Sequence, residues 1–152
     1  MTASDIRDLY QQVILDHNRK PRNFGALDAA SHSAEGYNPI CGDHYHVRLL
    51  LDAQGLIADL RFEGQGCAIS KSSASMMTAA VKGRSEPEAR QLAAQFLKLL
   101  KGELRPEAAE NSFDKLNVFA GIWEYPARVK CAALAWYTMV NALDRNGRVS
   151  TE

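Results

Sequence analysis

The sequence predicts an α+β fold: a small antiparallel three-stranded sheet packed on one face by several α-helices. Three observations carry this. The stretch from His44 to Phe62 alternates apolar and polar residues, the two-residue period of a half-buried strand. The segments on either side repeat apolar residues at helical spacing. The order, one helix, then strands, then several helices, is that of an α+β chain rather than a βαβ repeat. At 152 residues the chain suits one core, so 1–152 reads as a single domain with 145–152 as a flexible tail.

The first helix is expected in SDIRDLYQQVILDH. Ile6, Leu9, Tyr10, Val13 and Ile14 form one stripe, Ser4 is the candidate N-cap, and Asp5 and Asp8 lie in the first turn. Pro21 and Gly25 in NRKPRNFG end it. SHSAEGY is the candidate first strand. HYHVRLLLD follows, with Tyr45, Val47, Leu49 and Leu51 on one face and His44, His46 and Arg48 on the other. Gln54-Gly55 marks a tight turn. LIADLRF then returns, with Ala58, Leu60 and Phe62 on one face and Asp59 and Arg61 on the other.

From Cys67 the pattern becomes helical. CAISKSSASMMTAAVKG is rich in small residues and stops at Gly83. PEARQLAAQFLKLLKG has Pro87 inside its start and Gly102 past its end. A short helix is expected near Pro106 to Glu110, then a turn or loop from Phe119 to Tyr125. The last helix begins at Pro126, with Val129, Ala132, Ala133, Trp136, Val140 and Leu143 as its apolar stripe.

Composition narrows the function classes. Hydrophobic residues make up 46%, and 18 basic residues balance 18 acidic ones for a formal net charge of +0. A nucleic-acid binder usually shows a basic excess. No apolar run approaches the roughly 18 residues of a membrane helix. MTASDIRDLYQQ carries acids early and has no apolar h-region, so the expectation is a cytoplasmic protein with neither nucleic acid nor membrane as partner.

Three cysteines remain: Cys41, Cys67 and Cys131. An odd number without an export signal disfavours a disulfide framework and leaves buried hydrophobes, metal ligands or reactive thiols. Cys41 lies in Asn-Pro-Ile-Cys-Gly-Asp, a turn entering a strand that brings Asp43 close. Cys67 follows Gly64-Gln65-Gly66 at a helix N-terminus, where exposed N–H groups favour thiolate. Cys131 follows Arg128 and Lys130. All three sit at element boundaries, which favours a shared site over three unrelated core residues. Three thiolates and one carboxylate would suit a closed tetrahedral Zn²⁺ site, with Lys71, Arg128 and Lys130 offsetting part of the negative charge. The irregular spacing matches no zinc finger.

The residues now resemble a known family. LYQQVILDHNRKPRNFG at 9–25, NPICGD at 38–43, GQGCAISKSSASMM at 64–77 and RVKCAALAW at 128–136 are similar to the N-terminal signature and the three cysteine blocks of the U-type iron–sulfur cluster assembly proteins (IscU/NifU-like), in order. Lys130, where housekeeping scaffolds carry histidine before the third cysteine, and the extra segment from Glu86 to about Tyr125 both look like the SufU branch. The resemblance implies a SufU/IscU-like fold with Cys41, Asp43, Cys67 and Cys131 as metal ligands and zinc as the metal. It implies a zinc-dependent sulfurtransferase that takes persulfide sulfur on Cys41 from a SufS-type cysteine desulfurase and serves downstream iron–sulfur assembly components. The alternative it implies is a scaffold that assembles a transient [2Fe–2S] cluster, or holds Fe²⁺, on the same ligands and passes the cluster to apoproteins. A structural zinc adaptor is a third reading.

The remaining polar and sulfur groups have plainer expectations. His44 and His46 form a solvated strand face, and His17 and His32 lie on the surface. Ser72, Ser73 and Ser75 pack a helix against the sheet. Met76, Met77 and Met139 are core. Trp123, Tyr125 and Trp136 are mostly core, with Trp123 and Tyr125 able to border a docking surface. Lys98, Lys101 and Arg105 form a solvated face.

Overall fold

The computed structural model describes residues 3–151, and the side chains from residue 10 onward. Helix α1 (Ala3–Arg19) leads into strands β1 (His32–Asn38), β2 (Asp43–Leu51) and β3 (Ile57–Gln65). Helices α2 (Ala68–Val81) and α3 (Glu86–Leu100) follow, then two 3₁₀ turns (Lys115–Phe119 and Ile122–Glu124). Helix α4 (Pro126–Leu143) and strand β4 (Arg148–Ser150) close the chain.

The sheet has four strands in the order β3-β2-β1-β4, one more than the sequence predicts, and it is mixed. β1, β2 and β3 form the expected antiparallel meander, while β4 lies parallel to β1 with Glu35 opposite Arg148 and Tyr37 opposite Ser150. Three residues with a single apolar side chain, Val149, are too few to show the alternation that would betray such a strand. Main-chain bonds make it: Glu35 N–H donates to Gly147 O at 2.9 Å and Thr151 N–H to Tyr37 O at 2.9 Å. At the opposite edge Phe62 N–H donates to Asn23 O and Gly25 N–H to Phe62 O, so the chain after α1 pairs with the outer side of β3.

One sheet face is apolar. Ala34, Tyr45, Val47, Leu49, Leu60 and Phe62 are buried on it, as the alternation predicts. Ile57 takes the inward position expected of Ala58, and Ala58 is exposed. The cause is the register shift between Leu50 and Leu51, which pairs Leu51 with Ile57 and reverses the faces at the strand start. The other face is polar: His44 and His46 lie beside Glu35, and Arg48 forms an ion pair with Glu63.

Helix α4 packs across β1 and β2, α2 packs on α4, and α1 and α3 flank that pair. From Cys131 to Trp136 every residue of α4 is buried, because α4 sits between the sheet and the other helices. Trp136 is fully buried, stacked on Phe96 at 4.5 Å, and its indole N–H donates to Ser73 Oγ at 3.2 Å. Ser72, Ser73 and Ser75 are all buried, but the contacts of Ser73 and Ser75 are with other helices rather than the sheet: Ser73 Oγ donates to Ala132 O of α4 at 2.6 Å, and Ser75 Oγ meets His17 of α1. Met76, Met77 and Met139 are core.

Three expectations are corrected. His17 is buried, not on the surface, and its Nδ1 lies 2.7 Å from Ser75 Oγ. The reason is periodic: His17 continues the Tyr10, Val13, Ile14 stripe, so the α1–α2 contact covers it. The segment 106–110 forms turns rather than a helix, and 3₁₀ structure appears at 115–119 and 122–124. Leu116, Phe119 and Ile122, the buried apolar residues there, recur every third position, the period of a 3₁₀ helix. Finally, α1 includes Ser4 and continues to Arg19, so Ser4 is not its N-cap residue. The side chains of Ile6 and Leu9 in the predicted stripe, and of Asp5 and Asp8, lie outside the described residues.

Helix α2 is capped by Cys67, whose Sγ accepts from Ser70 N–H. Helix α3 starts with Ser85 and Glu88 in a capping box, with Pro87 in its first turn. Helix α4 starts at Pro126, as predicted.

Candidate metal centre

The loop between β1 and β2, the start of α2 and the early turns of α4 meet at one end of the sheet. Antiparallel pairing of Asn38 with Asp43 closes the loop Pro39–Gly42, and Gly42 turns it with φ +73, a conformation that side-chain-bearing residues resist. That turn holds Cys41 exposed at the loop tip and sends Asp43, 2% exposed, inward. Cys131 is 3% exposed on α4.

Cys41 Sγ, one Asp43 oxygen and Cys131 Sγ all lie within 4.8 Å of one another. The Cys131 thiol donates to Cys41 Sγ at 3.3 Å. Tetrahedral zinc with bonds of about 2.3 Å requires sulfurs roughly 3.8 Å apart, so this donor set fits a soft divalent cation. Cys67 stands beside the trio rather than within it. Its N–H donates to Asp43 Oδ1 at 3.0 Å, while its thiol caps α2, accepting from Ser70 N–H at 3.5 Å and donating to Ser70 Oγ at 3.6 Å. The four residues singled out in the sequence thus converge, three by ligand atoms and Cys67 by its backbone and its proximity.

The electrostatics call for a cation. Burial holds the Cys131 thiol well above its ordinary range, and the bond with Cys41 and the negative charges of Cys67 and Asp43 push the same way. A divalent ion in the centre would offset those effects by favouring the thiolate. The neighbouring basic side chains are partly occupied: Lys71 Nζ lies over the Phe24 ring at 5.2 Å and the Arg128 guanidinium over Tyr125 at 4.8 Å. Lys130 is half-buried and lines, with Asn38, Ile40, Cys41, Pro126 and Ala127, a pocket of about 160 Å³ beside Cys41.

Sequence reasoning missed two features. Asn38, read only as a turn former, is fully buried and donates from Nδ2 to both Asp43 Oδ2 (3.2 Å) and Cys131 Sγ (3.5 Å). Gly66 is the other: a Cβ there would lie 2.6 Å from Asp43 Oδ1 and closer still to Tyr45 Oη and Ser70 Oγ. Glycine lets the β3–α2 chain pass against the carboxylate. The expected bystanders stay outside the centre. His44 stacks on Tyr37 at 4.3 Å, His46 contacts Glu35 and Arg48, and His32 Nδ1 pairs with Ser31 Oγ. Trp123 and Tyr125 are each 52% exposed rather than core. No helix among the described residues is long and apolar enough to cross a membrane.

Fold and centre together define a small α+β protein with a cysteine and aspartate group at the end of its sheet that could hold a metal ion. The family model described as the NifU-like N terminal domain matches residues 9–132. The chain belongs to this family, in its IscU/SufU-like group of iron–sulfur cluster assembly proteins. It is 36% identical to the iron–sulfur cluster assembly scaffold protein IscU of Streptococcus pyogenes serotype M1, covering 96% of this chain and 89% of that protein. It is 37% identical to the zinc-dependent sulfurtransferase SufU of Bacillus subtilis, covering 88% of each. A crystal structure of an iron–sulfur cluster assembly scaffold protein for the SUF system, from Fervidobacterium islandicum AW-1, superposes with a TM-score of 0.79 at 32% identity, covering 87% of this chain and 94% of that one.

Proposed function

We propose that this protein is a zinc-dependent sulfur acceptor of iron–sulfur cluster biogenesis, taking persulfide sulfur on Cys41 from a SufS-type cysteine desulfurase in the cytoplasm. The observation that carries the reading is the asymmetry of the centre: Cys41 is exposed on a loop tip, yet its Sγ lies 3.3 Å from that of buried Cys131. A reactive thiol is thereby offered to a partner while Cys131 stays buried and the exposed Cys67 is tied to the start of α2 by the Ser70 N–H. Lys130 before Cys131, and the relative named as a zinc-dependent sulfurtransferase, support the SufU side of the family.

Cys41, Asp43, Cys67 and Cys131 would hold the ion. Zn²⁺, when bound, keeps the thiols deprotonated and ties the three segments together. The transfer itself belongs to Cys41. Its thiolate attacks the outer sulfur of the desulfurase persulfide, one S–S bond forms as another breaks, and the desulfurase thiolate leaves. Asp43 stays inward, anchored by the Cys67 N–H. The product is a Cys41 persulfide for downstream assembly components.

The test is desulfurase turnover with wild type, Cys41→Ala and zinc-stripped protein, with mass analysis of Cys41. The reading expects stimulation by wild type alone and an adduct of about 32 Da, one sulfur, on Cys41. Stimulation by Cys41→Ala would instead support an adaptor role. The second reading, a scaffold that assembles a [2Fe–2S] cluster on the same residues, is favoured by the S. pyogenes relative's name and its coverage of this chain. Anaerobic purification separates the two: a colourless protein with one zinc supports sulfur transfer, and visible cluster absorption supports the scaffold.

A further inference from the structure

An N–H group aimed at a thiolate engages the lone pairs that would attack an electrophile, so it weakens the sulfur as a nucleophile. The three thiols of the centre differ in this respect. Cys67 Sγ accepts from Ser70 N–H at 3.5 Å. Cys131 Sγ accepts from Asn38 Nδ2 at 3.5 Å. Cys41 Sγ has no N–H donor among the described residues; its one bond comes from the Cys131 thiol.

Asn38 is placed at some energetic cost. Its Nδ2 serves Asp43 Oδ2 and Cys131 Sγ, and its Oδ1 is buried without a hydrogen-bond partner among the described residues. An unpaired buried carbonyl costs on the order of 1–3 kcal/mol. Turning the amide over would face its oxygen toward a carboxylate and a sulfur, so the orientation is dictated by the two acceptors. A buried polar atom left unpaired beside a reactive centre marks stability given up for function.

We propose that Asn38 is a positioning residue of the centre: its amide hydrogens hold Asp43 and Cys131 in place and quiet the Cys131 sulfur, which leaves Cys41 as the sulfur that reacts. This rests on the four-ligand, sulfur-acceptor reading above. The step it directs is balanced: Cys41–S⁻ and R–S–SH give Cys41–S–SH and R–S⁻, with no outside oxidant. Asn38 also forms one wall of the pocket of about 160 Å³ beside Cys41, whose other lining residues place Lys130 as the single charge there.

The test uses the full chain as wild type, Asn38→Ala and Asn38→Leu. Leucine keeps the volume and the burial of Cys131 while removing both the donors and the orphan oxygen, so it guards against an alanine variant that fails to fold. Without metal, Asn38→Leu is expected to melt no lower than wild type. Its zinc affinity, read by competition with a chromophoric chelator, is expected to fall about 10–100-fold, as for other groups that orient ligands. In Co²⁺-loaded protein the sulfur-to-metal charge-transfer band moves to lower energy, because the Cys131 sulfur loses its N–H. Substoichiometric iodoacetamide on zinc-loaded wild type labels Cys41 over Cys131 by about 10-fold or more, and in Asn38→Leu the ratio shrinks to about 3-fold or less. Unchanged affinity, band and labelling ratio overturn the proposal. Lost affinity with band and ratio unmoved marks a merely structural residue and overturns it as well. Wild type that takes up no zinc overturns the zinc reading itself, a result distinct from either.

Discussion

Gly66→Ala is the sharpest perturbation of the centre that leaves every candidate ligand in place. The added Cβ would meet three groups at once: Asp43 Oδ1 at 2.6 Å, and Tyr45 Oη and Ser70 Oγ closer still. None can retreat easily. Tyr45 is 0%, Ser70 1% and Asp43 2% exposed. Tyr45 Oη is bonded to Ser70 Oγ at 2.9 Å, and Asp43 is held by Cys67 N–H and Asn38 Nδ2. One methyl forced into a packed site costs about 1–3 kcal/mol, and one broken hydrogen bond adds about 1 kcal/mol. At about 2–4 °C per kcal/mol for a domain of this size, the melting midpoint should fall by roughly 5–15 °C. The displaced carboxylate should also weaken zinc by about 10-fold or more. Thermal denaturation by circular dichroism, with and without zinc, and chelator competition measure both. A Gly66→Ala protein with wild-type midpoint and zinc affinity would refute the close approach on which the geometry of the centre rests.

Zinc removal should lower the midpoint of wild type in proportion to saturation: free zinc at about 100 times its dissociation constant contributes about 2.7 kcal/mol, and scanning calorimetry of loaded and stripped protein reads it directly. Trp136→Phe should cost roughly 1–3 kcal/mol in urea titration, because it removes the indole bond to Ser73 and leaves a gap beside Phe96. His17 gives a pH signature. Burial, with the Arg22 charge second, lowers its folded pKa below the ordinary 6.5. The unfolded chain therefore takes up a proton that the folded chain refuses, so stability is full above about 6.5 and declines as pH falls toward the folded value. His17→Gln should show a shallower decline between about pH 7 and 5 than wild type in denaturant titrations, and an equal slope would contradict the buried neutral imidazole.

Much of this protein is written in local pattern. The alternation of Tyr45, Val47 and Leu49 decided the buried sheet face. Pro87, Gly102 and Pro126 marked helix boundaries, because each acts on its own few residues through φ and N–H supply. Cys41, Asp43, Cys67 and Cys131 were visible as candidates because chemistry-bearing residues stood beside turns and helix starts. What the sequence could not decide depends on partners distant along the chain. β4 exists only because β1 offers it main-chain groups across more than a hundred residues. Ala58 faces out because its pairing with β2 skips it, Leu50 opposing Asp59 and Leu51 opposing Ile57. His17 is buried because α2 covers it, and Asn38, in sequence a turn former before Pro39, becomes the amide between Asp43 and Cys131 only when α4 arrives 93 residues later. Residue type and spacing determined which atoms were available to the centre; the packing of α2 and α4 against the sheet end decided that Cys131 is buried, and that Cys67 and Cys131 receive N–H groups while Cys41 receives none among the described residues.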